Sequence, residues 1–595
     1  MTQRKGIKMK FKHTFVVLML LAVGTAFSSH AQNTDGQRGL ASPGDTPTTF
    51  ENPELVGKYQ ASITAEELAA HLYFFASDFF EGRETSTRGQ KMAADYLSGQ
   101  YRKMGLMPKG TGGGDNPRSP AVFQQQFPLY GSQFDKAQLY INGSATPTHT
   151  YGGSATDGSF MTVLASEADV NAPIVFGGYG ITDEKLGYDD FAAMTAAGVD
   201  MAGKWLMILA DEPMKNAETS LLPTDGNELS TWTTGRFNKL RGLPTGELAP
   251  AGVFIVGDLS PRQVGSVHDA AMSGGTAPTS VGSLSLDAPT GSGRRARFPT
   301  VLNISADLAN EIIASSGRTV QQVQSEIDAS LKPVVFAVDS PVRAVVANKT
   351  YETSSENVLA YIEGSDPALK DQFVVISSHY DHIGMRTDPV DGINNGADDD
   401  GSGTVSVLEI AEAFMKAKAD GFGPRRSILF LNVTGEEKGL LGSSYFTDRE
   451  PLVPLEKIVT NLNIDMVGRI DPTHTGPNSD YVYIIGSNLV SQELHDINIR
   501  VNQEIGTKLD LNERFNSKDD PNQFYRRSDH WNFGKHNIPF IFFFTGTHED
   551  YHGVDDEPEK IGYERMARIA QVIFGTAWQV ANQDTAPVVS GEGFN

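Results

Sequence analysis

The 595-residue chain contains no cysteine. That absence excludes disulfides, thiolate zinc fingers, iron–sulfur clusters, a cysteine nucleophile and a cysteine-borne lipid. Basic side chains are scarce: 49 Lys and Arg stand against 73 Asp and Glu, for a formal net charge of −24. An acidic chain repels phosphate backbones, so nucleic acid is not expected as a partner. Long apolar runs are missing too. The run from Phe15 to Phe27 falls short of the ~20 residues a membrane-spanning helix needs. With 60 glycines and 30 prolines the sequence is rich in turns, which argues against a coiled coil.

The N-terminus carries Arg4, Lys5, Lys8, Lys10 and Lys12, then the apolar run, then Ser29-His30-Ala31. This is the order of an export signal cleaved after Ala31. Cleavage removes five basic residues and no acidic one, leaving 44 against 73, a charge of −29. An exported chain without disulfides points to a bacterial periplasm or a bacterial secretion, with no membrane attachment once the signal is gone.

The length predicts more than one packing unit. Residues 32–60 read as a polar linker and 586–595 as a tail. Thr64 opens a capping box with Glu67, and Gln90 to Met104 reads as a second helix. From 150 to 334, short apolar strands such as Trp205–Leu209 lie between Gly/Ser/Thr-rich loops, as in a strand-rich insertion. It divides a catalytic domain into 60–149 and 335–585. In the second part, strands at Phe373–Ser377, Ser427–Val433, Asn461–Ile464 and Ile538–Phe544 alternate with a helical pattern from Thr404 to Lys418. This predicts an α/β fold, a three-layer α/β/α domain on a mixed, largely parallel sheet.

The chemistry sits where those strands end. The first runs into His379-Tyr380-Asp381-His382, the second into Glu436-Glu437, the third into Asp465, and the fourth into a loop with His548, Glu549, Asp550 and His552. Asp398-Asp399-Asp400 stands just ahead of the helix. In open α/β sheets ligands bind beyond the carboxyl ends of the strands, so these groups should converge on one crevice. Packed carboxylates repel unless a cation lies among them, and imidazole with carboxylate suits zinc in a hydrolytic site.

Ser-x-His-x-Asp, Gly-Ala-Asp-Asp-x-x-Ser-Gly, Gly-Glu-Glu-x-Gly-Leu-x-Gly-Ser, Asp465, Ser528-Asp529-His530 and Tyr551-His552 occur in that order. The set resembles the co-catalytic di-zinc exopeptidases related to aminopeptidase Y, glutamate carboxypeptidase and transferrin receptor. Phe80-Glu81-Gly82-Arg83-Glu84 resembles the family's N-terminal region, and 150–334 its inserted protease-associated domain. The resemblance implies two Zn2+ ions, one on His379 and Asp465, the other on Glu437 and His552, with Asp399 bridging both. It implies a cis bond from Asp399 to Asp400, Asp381 orienting His379, and Glu436 as general base acting on a metal-held water. Tyr525 is expected to polarise the substrate carbonyl, although Tyr551 also stands near.

The expected substrate is a peptide or protein, cleaved at its amino end. Asp398, Glu549 and Asp550 are the spare acids for a substrate ammonium. A carboxypeptidase or dipeptidase on the same site stays open, because Arg526 and Arg527 could clamp a carboxylate. A metal-free binding protein is a remoter alternative, and His379-x-Asp381 argues against a glutaminyl cyclase.

Overall fold

The computed structural model describes residues 50–594 except 152–158, 165–166, 184, 217–218, 223–231, 233–238, 241, 258–280, 289–298, 387–390 and 477–478. The expected export signal and its cleavage point lie outside these residues. Among the described residues no helix is long and apolar enough to cross a membrane.

In chain order, helices α1 (Ala65–Phe75) and α2 (Arg88–Met104) precede strands β1 (Gln124–Ile141), β2 (Ala168–Gly177), β3 (Trp205–Leu209), β4 (Gly252–Val256), β5 (Ser283–Ser285), β6 (Thr300–Ile304) and β7 (Val335–Ile362). Then follow β8 (Phe373–His379), α3 (Gly403–Ala419), β9 (Ser427–Val433), β10 (Ile458–Ile464), β11 (Tyr481–Ile485), α4 (Gln492–Glu504), β12 (Asp510–Asn512), β13 (Phe540–Phe544) and α5 (Tyr563–Asn582). The main sheet runs β12-β11-β13-β10-β8-β9-β7-β2-β3-β4-β6 and ends on Phe160–Leu164. Strands β13, β10, β8 and β9 are mutually parallel, so their carboxyl ends lie along one edge.

Residue alternation explains the layers. Val374 and Ile376 of β8, with Ile428 and Phe430 of β9, pack among Leu68, Leu97, Leu408 and Phe574 from helices α1, α2, α3 and α5. Val375, Leu429 and Leu431 point the other way, onto Phe446, Val453 and Phe533. A strand that alternates between two buried faces needs an apolar residue at every position, which is why these segments read as continuous apolar runs. The α/β/α arrangement is as expected.

Strand β7 is 28 residues long and shared. Val335–Val346 pairs antiparallel with β2, Val342–Val358 with β1, and Val358–Ile362 with β9. This strand begins at Val335, where the insertion is expected to end, and joins β2 from within 150–334 and β1 from before it in one sheet.

Three local expectations change. Residues 53–60 are not linker but a helix, with Asn52 capping Leu55 N–H and with Val56 and Tyr59 buried. Thr64 caps Glu67 N–H at 3.2 Å, but the Glu67 carboxylate meets the Thr64 hydroxyl rather than its backbone N–H, so the reciprocal half of the box is not made. The C-terminal tail is held: Ser590 and Gly591 N–H donate to Val490 O, and Phe594 stacks on Tyr525.

Candidate metal centre

His379 is the last residue of β8 and is buried, as are Asp381 and His382 behind it. After β9, Gly435 takes φ +72° and turns the chain, so that Glu436 and Glu437 follow at the strand end. Asp465 follows β10, and His552 lies on the loop after β13. The turn carrying Asp398–Asp400 closes against His382. A Cβ on Gly396 would come within 2.6 Å of the His382 ring and 2.3 Å of Asp399 O, so this approach requires glycine. The Asp399–Asp400 peptide bond is cis.

These elements bring the expected donors together. His379 Nε2 lies 3.3 Å from Asp399 Oδ1 and 3.5 Å from Asp465 Oδ1. His552 Nε2 lies 3.1 Å from the other Asp399 oxygen and 3.2 Å from Glu437 Oε2. Asp399 thus faces both histidines, one oxygen to each. Asp400 is also close to His379 and Asp465, but its carboxylate accepts from the backbone N–H groups of His379, Gly403 and Met466. It clamps strand ends and has little left to offer a cation.

His382, in the run that follows β8 but outside the Ser-x-His-x-Asp motif, joins the same cluster. Its Nδ1 lies 2.9 Å from Glu437 Oε1 and 3.8 Å from Asp399 Oδ2. Both His382 ring nitrogens and Glu437 Oε1 are buried without a hydrogen-bond partner among the described residues. Orphaned buried groups of this kind are costly unless something satisfies them. Imidazole nitrogens and carboxylate oxygens converging on one point fit a zinc ion.

Asp381 acts differently from the expectation. His379 Nδ1 is 3.1 Å from the Asp381 main-chain carbonyl and 3.7 Å from its carboxylate. The carboxylate instead accepts from Glu436 N–H at 3.3 Å and from Thr85 Oγ1 at 2.6 Å.

The electrostatics follow the crowding. Burial works to lower the His552 imidazole, but Glu437 and Asp399 outweigh it and push it up to about 11. Burial works to raise Glu437 and Asp399 repels it, yet the surrounding imidazoles His552 and His382 hold it at about 2. Glu436 is pushed well above the carboxylate range by burial and by Glu437 and Asp465, against the pull of His379.

Tyr525 packs its ring on Phe594 at 5.6 Å and edge-on to Trp531 at 6.0 Å. The phenol at the donor cluster is that of Tyr551, whose ring stacks on His552 at 3.9 Å. Burial raises Tyr551, as do Asp399, Glu437 and Glu436, while Arg527 opposes them. The spare acids are engaged. Asp398 accepts from Ser402 Oγ and Gly468 N–H and lies 3.3 Å from His548 Nε2. Asp550 pairs with Arg469 and Lys560, and Glu549 with Arg469.

Residues 357–577 match Peptidase family M28. A probable zinc metalloprotease of Pyricularia oryzae is 26% identical over 275 residues, 40% of this chain and 53% of that protein. The rat (Rattus norvegicus) aminopeptidase NAALADL1 is 34% identical over 132 residues, 22% of this chain and 16% of its own. The chain thus spans about half, or less, of the length of these curated relatives. Among solved structures, an aminopeptidase from Aneurinibacillus sp. strain AM-1 aligns at 17% identity and TM-score 0.47, over 91% of this chain and 98% of that one. Through residues 357–577, then, the chain is similar to peptidase family M28.

Proposed function

We propose that the protein is an exported metallo-exopeptidase with two zinc positions, acting first as an aminopeptidase on peptide or protein substrates. The observation that carries this reading is Asp399 facing His379 with one carboxylate oxygen and His552 with the other. In the proposal Asp465 and His379 complete one position, and Glu437, His552 and His382 the other. Residues 150–334 are proposed as an inserted domain resembling the protease-associated domain.

Zinc held there would supply Lewis acidity to a substrate carbonyl and acidity to water. The Glu436 carboxylate takes a proton from the attacking water and returns it to the departing amine. The Tyr551 hydroxyl donates to the carbonyl oxygen as charge develops, the role first expected of Tyr525. The stacked His552 ring holds Tyr551 at that place.

Relatives named as aminopeptidases support the amino-end reading. A carboxypeptidase or dipeptidase reading has its own support. The acids reserved for a substrate ammonium are occupied, while the exposed Arg527, packed over Phe524 at 4.9 Å, acts electrostatically on Tyr551. The test is metal analysis together with cleavage of one short peptide in free, N-acetylated and C-amidated forms. Two zinc ions per chain and loss of cleavage on acetylation alone support the aminopeptidase. Loss on amidation alone supports the carboxypeptidase. Cleavage of all three forms counts against an exopeptidase.

A further inference from the structure

The segment Gly82–Thr85, between the helices α1 and α2, passes beneath the loops that carry the donor side chains. Arg83 is fully buried, with φ +48°, and makes no ion pair among the described residues. Its Nε donates to Tyr380 O at 2.9 Å, Nη1 to Asn395 O at 2.6 Å and Phe75 O at 3.2 Å, and Nη2 to Gly396 O at 2.9 Å. Tyr380 stands between His379 and Asp381, and Gly396 opens the turn that carries Asp399. One planar guanidinium therefore ties two ligand-bearing loops together.

The neighbouring residues hold the rest. His382 N–H donates to Arg83 O at 3.2 Å, and Gly384 N–H to Gly82 O at 2.9 Å. Glu84 Oε1 accepts from Lys438 Nζ at 2.8 Å, directly after Glu436-Glu437 in the chain. Thr85 Oγ1 donates to Asp381 Oδ2 at 2.6 Å, and the other oxygen of that carboxylate holds Glu436 N–H. Burying a guanidinium with no paired carboxylate is expensive. An apolar residue here would leave those buried carbonyls without their donor, so the guanidinium and the loops it meets are matched to each other. Three of the four Arg83 hydrogen bonds go to carbonyls of site loops, which points to placement of those loops as its role.

We propose that Gly82–Thr85 is a positioning strap for the metal centre, with Arg83 and Thr85 setting the donor geometry before any ion arrives. The proposal rests on the zinc reading above. Groups of this kind, outside the ligand set, are worth about 10–100-fold in metal affinity.

The full chain is stripped of metal and titrated with zinc against a chelator, and with cobalt(II) by visible absorption. Thr85→Val should weaken zinc about 10–100-fold and alter the cobalt spectrum, while the metal-free protein melts as before. Thr85→Ser should restore both. Arg83→Lys keeps the charge but cannot span the carbonyls, so it should weaken zinc as well. Wild-type affinity and spectrum in both Thr85→Val and Arg83→Lys overturn the strap. So does a loss that Thr85→Ser fails to restore, or unfolding of metal-free Thr85→Val. A wild-type chain that binds no zinc overturns the metal reading itself, and the strap with it.

Discussion

The backbone N–H of Glu436 donates to Asp381 Oδ1 at 3.3 Å, so the proposed base hangs from the residue two places after His379. The His379 ring is held mainly by the Asp381 main chain. Replacing the Asp381 side chain should therefore disturb the base as well as the donor geometry, since it also frees Thr85. Asp381→Ala is expected to weaken zinc about 10–100-fold and, at saturating zinc, still to lower kcat about 10–100-fold. Zinc titration paired with kcat at saturating zinc checks this. Wild-type kcat in the zinc-saturated variant would remove the role given to Asp381 in holding the base.

Glu436→Gln keeps the shape and the backbone hydrogen bond but removes the proton acceptor. It should keep its metal and lose at least about 10²-fold in kcat, the lower range for a general base. Near-normal turnover would sink the role given to Glu436.

The two tyrosines can be separated directly. Tyr551→Phe should lower kcat about 10²-fold or more, as loss of an oxyanion donor does, with KM changed less. Tyr525→Phe should stay close to wild type, since its ring contacts are with Phe594 and Trp531. The opposite ranking in steady-state kinetics would return the role to Tyr525.

A pH prediction concerns residues 150–334, the proposed insertion. Asp190 is buried, and desolvation pushes its carboxyl up to about 7 even though Ile181 and Tyr179 N–H donate to it. Its folded pKa lies above the unfolded value, so between about pH 4 and 7 the folded state binds more protons. Stability from this group is full at low pH and is lost as pH rises to about 7, on the order of 4 kcal/mol in all. Asp190→Asn should remove that dependence. Its melting temperature relative to wild type should rise from pH 4 to about 7 and level off above that, and a difference independent of pH would refute the account.

Much of the site was legible because its residues stand at strand ends. Apolar runs such as Ser427–Val433 locate a strand, and the polar group that follows must lie at its carboxyl edge. Family motifs then supplied the pairing of His379 with Asp465 and of Glu437 with His552. What stayed hidden depends on contacts distant in sequence. Arg83 bonds to main-chain carbonyls about 300 residues away, which leave no trace in side-chain type. Tyr551 was seen beside the site, but its stacking on His552 is a matter of ring placement rather than spacing. Asp398 looked available because nothing in its neighbourhood announces His548 as its partner. The helix at 53–60 is short and polar in composition, and tertiary burial of Val56 and Tyr59 supports it.

The 28-residue strand β7 constrains any shortened form of the protein. Excising residues 150–334 would strip β2 from its first half and leave the ladder between Val335 and Val346 open on that side. Unsatisfied strand edges invite pairing between molecules. Such a deletion should self-associate, and any lost activity in it would report on association as much as on the excised module. The module is better probed by single substitutions on its surface than by removal.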